Sequence, residues 1–300
     1  MERILYESEV LSFAEFHCPA DAPLWLELNT IETGPHVVFP GTSVVIRHLG
    51  CTPVLANPNH VMFYNPGQRF QRRLHDPSGD RCFYVRLGRR LLADVTGGRD
   101  DLPFAYGPSS ADAYLAHRLV VSHLRSGNHD SLFVEETLTH AIGRVTADAF
   151  ASRQIGRRRT RPTTFAVHHE LVESAKELLT VHLTERLPLR FFARMLHTSE
   201  FHLARVFRNA TGFSLHQYRN QLRLRLALER LSGDDVQLSF LAHELGFASH
   251  SHFTDSFRQV FGVPPSALER GLTAGDLRSL RRIVEPPLRA AQMPGSSLAR

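Results

Sequence analysis

The sequence predicts an α+β chain of two domains: an antiparallel β-barrel with a helical hairpin, followed by an all-α domain whose two helix-turn-helix motifs are joined by a linker helix. Three observations predict it. The last third of the chain repeats at an offset of fifty residues, which lays Ser199, Leu203, Phe207, Arg208 and Gly212 over Ser249, Phe253, Phe257, Arg258 and Gly262. Residues 1–90 hold short β-branched and aromatic runs between Gly, Pro and Asn breaks. From Pro108 onward, apolar residues recur at helical spacing instead. A length of 300 residues suits two domains. A composition of 42% hydrophobic and 22% charged residues is ordinary globular chemistry, which excludes fibrous and disordered classes.

In residues 1–107 the strand-like segments include Val37-Val38-Phe39, Ser43-Val44-Val45-Ile46-Arg47 and His60-Val61-Met62-Phe63-Tyr64. Gly34-Pro35, Pro40-Gly41, Asn57-Pro58-Asn59 and Asn65-Pro66-Gly67 bound them, and short strands with tight breaks suit a small antiparallel barrel. A concave barrel interior with a few polar groups is a natural small-molecule pocket. Arg47, His60, Tyr64, Arg69 and His75 are the candidate effector contacts, and each is equally well accounted for as a surface or loop residue. His36, His48, His60 and His75 stand singly, without the spacing of a ligand set, so no metal is expected. Cys18, Cys51 and Cys82 are odd in number and far apart, which fits reduced thiols rather than a disulfide framework or zinc ribbon. No nucleophile elbow, H-E-x-x-H, phosphate loop or G-x-G-x-x-G occurs, so neither a catalytic centre nor a cofactor is indicated.

Residues 108–152 read as a helical hairpin. Leu115, Leu119 and Leu124 make one stripe, and Leu132, Leu138, Ile142, Val145 and Ala149 make another beyond the break Ser126-Gly127-Asn128. One hairpin cannot bury both of its faces, so it packs either on the barrel or on a twin from a second subunit, in a homodimer. Residues 153–164 lack apolar periodicity and end in Pro162-Thr163-Thr164, which places the interdomain linker there and predicts few contacts across it. Arg157, Arg158, Arg159 and Arg161 within it either approach DNA phosphate or are simply solvated.

Residues 165–272 contain the repeat, with helix-turn-helix units at 189–210 and 237–260. In each, a short helix (Leu189, Phe192, Ala193 and Leu196, or Leu238, Leu241, Ala242 and Leu245) leads to a break carrying His197 or Gly246. Ser199 or Ser249 then caps a second helix. The alanines leave room where two helices cross steeply after a short turn, and the break residue is expected at positive φ. Tandem helix pairs also build solenoids, but those show three or more copies and no serine-capped break at a fixed place. Between the units, Ser214 to Leu231 reads as a helix with Arg219, Arg223, Arg225 and Arg230 interleaved among leucines. Its span of roughly 25 Å can hold two reading helices near one duplex turn, roughly 34 Å, apart. Residues 273–300, with Pro286-Pro287 and Pro294-Gly295-Ser296-Ser297, are expected to be a mostly disordered tail.

Leu189-Arg190-Phe191-Phe192-Ala193, Thr211-Gly212-Phe213-Ser214-Leu215-His216-Gln217-Tyr218, Leu245-Gly246-Phe247-Ala248-Ser249-His250-Ser251-His252-Phe253 and Phe261-Gly262-Val263-Pro264-Pro265 together resemble the AraC/XylS family of bacterial transcription regulators. The resemblance covers about a third of the chain, from roughly 168 to 271, and its second half is the more specific. It implies that one helix of each repeat enters the DNA major groove. It implies more loosely that the N-terminal domain is a cupin-like sensor, although the H-x-H, Glu and later His of a metal-binding cupin are missing, and it favours dimerisation.

With Leu203, Val206, Phe207, Phe253 and Phe257 directed inward by their spacing, the groove face falls to Phe201, His202, Ala204 and Arg205 in the first repeat. In the second it falls to His250, Ser251, Thr254 and Asp255. Arg205 is the candidate guanine reader and Phe201 the contact for a thymine methyl, while Arg208 and, in the second repeat, Arg258 are placed for phosphate or a neighbouring carboxylate. Glu200 and Asp255 depart from the family, which commonly carries basic or neutral polar residues there. Asp255 is read as limiting affinity unless it accepts from a cytosine amino group.

The net charge of +5 favours a polyanionic partner only mildly. Residues 165–272 hold twelve Lys plus Arg against eleven Asp plus Glu, so placement must matter more than total. The expected function is a sequence-specific, effector-responsive transcription regulator, not an enzyme. Its partners are double-stranded promoter or operator DNA, a small-molecule effector and RNA polymerase. The competing classes are a cupin-type enzyme with a helical appendage and a non-enzymatic helical adaptor that binds protein. Acids where a signal peptide needs bases, and no run of eighteen apolar residues, give the expectation of a soluble, cytoplasmic chain.

Overall fold

The structure is a computed structural model that describes residues 1–156, 162–231 and 236–269. The N-terminal domain consists of β1 (Glu2–Glu7), β2 (Leu11–Cys18), β3 (Asn29–Thr30), β4 (His36–Pro40), β5 (Val44–His48), β6 (Val54–Ala56), β7 (His60–Tyr64), β8 (Arg69–Leu74) and β9 (Asp80–Leu87). A short helix α1 (Arg89–Thr96), strand β10 (Tyr106–Pro108) and helices α2 (Ala111–Arg125) and α3 (Ser131–Gly156) follow. Neither α1 nor β10 was legible in the sequence. Among the described residues the strands make two antiparallel sheets, ordered β1-β2-β9-β4-β7-β10 and β3-β8-β5-β6, rather than one hydrogen-bonded ring.

Alternation along the strands divides the six-stranded sheet between two cores. Val37, Phe39, Val61, Phe63, Phe83 and Val85 face outward into a cluster completed by α2 and α3. Val38, Met62 and Tyr64 face the other sheet and pack with Val44, Ile46, Val54, Ala56 and Phe70. β10 lies tightly against α3: a Cβ on Gly107 would come within 2.9 Å of the Ala149 methyl.

The hairpin is built into this subunit. Leu138, Ile142, Val145 and Ala149 are buried in the core under the six-stranded sheet, whereas Leu132 is 74% exposed. Of the two packings open at the sequence level, the structure takes the one within the subunit, on the six-stranded sheet, so this apolar stripe is not a free dimer seam. Its second face is covered as well. Tyr114 and Leu115 project from α2 into the core of the C-terminal domain.

That domain contains α4 (Pro162–Val181), α5 (Leu189–Met195), α6 (Glu200–Thr211), α7 (Leu215–Leu231), α8 (Leu238–Glu244), α9 (His250–Phe261) and α10 (Pro265–Glu269). Arg157, Arg158, Arg159 and Arg161, and the tail from 270, lie outside the described residues.

The expectation of few contacts across the linker is overturned by a buried polar seam. Asn57 donates to the Tyr218 hydroxyl at 3.0 Å, and Asn59 donates to the Tyr218 carbonyl at 3.0 Å. Arg225 donates to Asn59 and to the Ser109 carbonyl, and its guanidinium lies 5.4 Å from the Tyr114 ring centroid. Tyr114 and Arg118 both hold Glu229, at 2.6 and 3.0 Å. Glu173 of α4 accepts from the Leu55 amide of edge strand β6 at 2.7 Å and pairs with the buried Lys176 at 2.7 Å. The composition of 153–164, whose two ends the structure builds into α3 and α4 rather than a linker, carried no sign of this, because the contacts come from further along α4 and from α7.

His60 sits within the seam, with Lys176 Nζ 3.1 Å from its Nε2 and Asn57 Oδ1 3.1 Å from its Nδ1. Lysine can only donate, so Nε2 accepts and the ring is neutral with its proton on Nδ1. Burial holds the His60 pKa well below the usual histidine range, helped by the charges of Lys176 and Arg225. Burial also pushes His48 down to about 4.

Two outcomes follow from this packing. Leu138→Asp with Ile142→Asp should unfold the N-terminal domain rather than split a dimer, because carboxylates in that core have no partner; a folded monomer by circular dichroism and light scattering would contradict it. A histidine kept neutral on folding takes up its proton only in the unfolded chain once pH drops below about 6.5. The melting temperature should therefore fall between pH 7 and 5, less steeply in His60→Gln, and a flat profile by calorimetry would exclude this linkage.

Candidate nucleic-acid interface

Each repeat builds the same local geometry. In the first, α5 ends at a break where His197 takes φ +50°, and Ser199 Oγ accepts from the His202 amide to start α6. In the second, Gly246 takes φ +75° after α8, and Ser249 Oγ accepts from the His252 amide to start α9. The capping side chains satisfy amides that the helix cannot. Ala193 and Ala242 are buried at the crossings, and Gly212 and Gly262 end both reading helices in the left-handed conformation.

The difference between His197 and Gly246 has a steric cause absent from the repeat itself. His197 is exposed. A Cβ on Gly246 would lie 2.1 Å from the Thr184 carbonyl oxygen and 2.8 Å from an Arg223 nitrogen. The second break is thus pressed against the loop that joins α4 to α5, and only glycine allows that approach.

Arg223 of α7 makes this contact a joint between the second reading unit and the loop that leads into the first. It is buried, and it donates to the carbonyls of Leu183 at 2.7 Å, Glu185 at 3.3 Å and Gly246 at 3.1 Å. Arg186 adds a bond to the Phe247 carbonyl at 3.1 Å, and Arg219 one to Glu185 at 3.0 Å. Burial pushes Arg223 down to about 10, with the positive charges of Arg219 and Arg186 adding to the shift. Arg230 pairs with Glu244 at 2.8 Å. The four arginines interleaved along the linker helix therefore bind this protein's own backbone and side chains.

Of the sequence-predicted DNA contacts in α6, Phe201 is 79% exposed, Arg205 and Arg208 are exposed, and His202 and Ala204 are half-buried. The His202 ring packs on His168 of α4, with centroids 5.6 Å apart, so it is partly engaged within the domain. In α9, His250, Ser251, Asp255 and Arg258 are exposed and Thr254 is half-buried. Among the described residues neither Asp255 nor Arg258 takes part in an ion pair, although they lie three apart on the helix. Both helices bury their opposite faces through Leu203, Val206 and Phe207 or Phe253, Ser256 and Phe257.

The candidate effector residues do not converge. His60 and Tyr64 point inward from β7, His60 into the domain seam and Tyr64 against His48 at 4.7 Å between ring centroids. Arg47 and Arg69 are exposed, and His75 lies half-buried just past the end of β8. Among the described residues no cluster of potential metal ligands occurs, and no helix is long and apolar enough to cross a membrane.

A pair of capped helix-turn-helix units on one rigid linker helix defines a DNA-binding protein of the tandem type. Comparison with known proteins agrees: a helix-turn-helix domain family model matches residues 192–271. The regulatory protein SoxS of Salmonella typhimurium is 29% identical over 99 residues, a match covering 33% of this chain and 92% of SoxS. The transcriptional regulator GlxA of Rhizobium meliloti is 32% identical over 108 residues, but the match spans only 33% of GlxA and 35% of this chain. Among solved structures, ToxT from Vibrio cholerae aligns over 88% of this chain and 100% of its own, at 11% identity and a TM-score of 0.34. The C-terminal domain is thus similar to the helix-turn-helix domains of AraC/XylS-type transcription regulators, and the chain spans about a third of the length of GlxA.

Arg223→Met should uncouple the second unit from the α4–α5 loop, since it leaves the Leu183 and Gly246 carbonyls without this donor, at about 1 to 3 kcal/mol for a buried group. On DNA carrying two correctly spaced half-sites, the affinity gain over a single half-site comes from the fixed relation of the helices. That gain should collapse while single-site affinity changes little; an unchanged ratio in fluorescence anisotropy would show that α7 alone sets the spacing.

Proposed function

We propose that this protein is a sequence-specific transcription regulator in which one subunit reads two successive major grooves with α6 and α9. The carrying observation is the Arg223 joint, which makes two exposed helix faces into a single rigid reader. Arg205 is the central base contact of α6, placed to fork onto guanine O6 and N7. Phe201 offers an apolar surface to a thymine methyl, and Arg208 and Arg258 flank the reading faces toward phosphate. His202, Ala204, His250, Ser251 and Thr254 complete the contact surface. Asp255 faces the groove with a charge that opposes phosphate.

The N-terminal domain is the responsive half. It grips α7 from the side opposite the joint, through Asn57, Asn59, Tyr114 and Arg118, so a small molecule that alters this grip alters the reader as a population shift. Operator or promoter DNA is the direct partner, and RNA polymerase is the machinery on which such a regulator acts.

The test is a salt and sequence titration. Binding to the cognate site should fall steeply with salt, and Arg205→Ala should cost about 1 to 3 kcal/mol there while changing random-sequence affinity much less. In the same titration Asp255→Asn should tighten binding to most sequences. Equal loss on cognate and random DNA would remove Arg205 from base reading, and loss confined to one cytosine-containing site would make Asp255 a reader.

A further inference from the structure

The two reading units complete their cores differently. Among the described residues, the core of the first is built from the C-terminal domain alone: Val172 and Leu179 of α4 close over Leu203 and Phe207, with Tyr218 from the start of α7. The core of the second takes in two residues from the other domain. Tyr114 and Leu115 of α2 are fully buried in it, together with Leu228 of α7 and Phe253, Phe257 and Phe261 of α9, and α2 packs directly on both of those helices. We infer that Tyr114 and Leu115 are positioning residues for the second reading helix: the first half-site is an anchor read without them, and the second is read only with α2 in place. This rests on reading the chain as a DNA-binding regulator that uses α6 and α9.

The face that α9 turns to DNA is set by the seating of its opposite face. Phe253, Phe257 and Phe261 recur every four residues and form the inward stripe, which leaves Thr254, Asp255 and Arg258 outside it. Close packing holds such rings in place, and truncating a neighbour leaves a cavity toward which the surrounding structure relaxes. Leu115 is a neighbour of this kind.

The residues of α2 are divided between two cores. Ala113, Ala116 and Val120 belong to that of the N-terminal domain. Tyr114 and Leu115, with the partly buried Ala111 and Leu119 beside them, belong to that of the second reading unit. Truncation at Leu115 therefore leaves the members of the N-terminal core intact. The Tyr114 hydroxyl also donates to Glu229 of α7 at 2.6 Å, which ties the same stretch of α2 to the linker helix. What reaches the first unit from the N-terminal domain is different in kind: the links at Glu173, Lys176 and Tyr218 are hydrogen bonds, and they add no side chain to its apolar core.

Duplexes are selected by the whole chain from a random pool, and each half of the preferred sequence is then scrambled in turn. In fluorescence anisotropy, Leu115→Ala should bind the duplex that keeps only the first half-site within twofold of the unmodified protein, and should lose at least tenfold on the intact duplex. Leu115→Met, which restores the volume, should recover most of that loss. Hydrogen exchange of the free protein reads the assignment without DNA: amides of α9 should exchange at least tenfold faster in Leu115→Ala, and those of α6 should be unchanged. Leu119→Ala, at the partly buried rim, should give the same pattern more weakly, and it carries the test if circular dichroism shows Leu115→Ala unfolded. Equal loss on both half-sites, equal acceleration in both helices, no effect on either, or no recovery in Leu115→Met would overturn the positioning role. A pool with no preferred sequence overturns the DNA-reading basis itself, whereas a preferred sequence with equal losses overturns the positioning role alone.

Discussion

Everything in the C-terminal half depends on how α7 is held, and it is held by two arginines that face opposite ways. Arg223 gathers two carbonyls from the loop that leads into the first helix-turn-helix unit and one from the break of the second. Arg225, two positions on, reaches Asn59 and the Ser109 carbonyl in the other domain. Residues two apart on a helix point to different sides, so one element is clamped to the second reading unit and the α4–α5 loop on one side and to the N-terminal domain on the other. A buried guanidinium is costly unless its donors are used, and in both cases backbone carbonyls supply much of the compensation.

The domain seam is polar where a permanent interface would be mostly apolar. Asn57, Asn59, His60, Glu173, Lys176, Tyr218 and Arg225 form a connected hydrogen-bond network within it, although Arg225 Nε is buried without a partner among the described residues. Such a network stabilises little compared with apolar packing of the same size, yet it is intolerant of misalignment, because each displaced group is left buried without a partner. Tyr114 and Leu115 add the apolar share by entering the core of the second repeat. Docking is thereby specific in geometry without being dominated by hydrophobic area.

Near-neutral total charge in the reading domain becomes understandable once the arginines are sorted. Arg186, Arg219, Arg223, Arg225 and Arg230 are engaged within the protein. Arg205, Arg208 and Arg258 remain exposed on the reading helices. Composition alone could not separate the two groups, since an arginine on an amphipathic helix has the same spacing whether it faces phosphate or a carbonyl. The interleaving of Arg223 and Arg225 among buried leucines was the available signal: their neighbours Leu222, Leu224 and Leu228 leave α7 little exposed surface.

The sequence by itself determined the elements whose cause is local. Serine caps, the positive-φ breaks at His197 and Gly246, the small residues at helix crossings and the strand runs of the first domain all arise from interactions within a few residues. Tertiary structure alone decided what depends on distant partners. It pressed Gly246 against Thr184, turned the hairpin stripe inward under the six-stranded sheet and placed Arg47 and Arg69 outside rather than beside Tyr64. It also joined domains that a polar linker sequence had suggested were independent. Periodicity says which face of an element is apolar, but not which surface covers it, because that choice is made by shape and hydrogen-bond complementarity between segments more than a hundred residues apart.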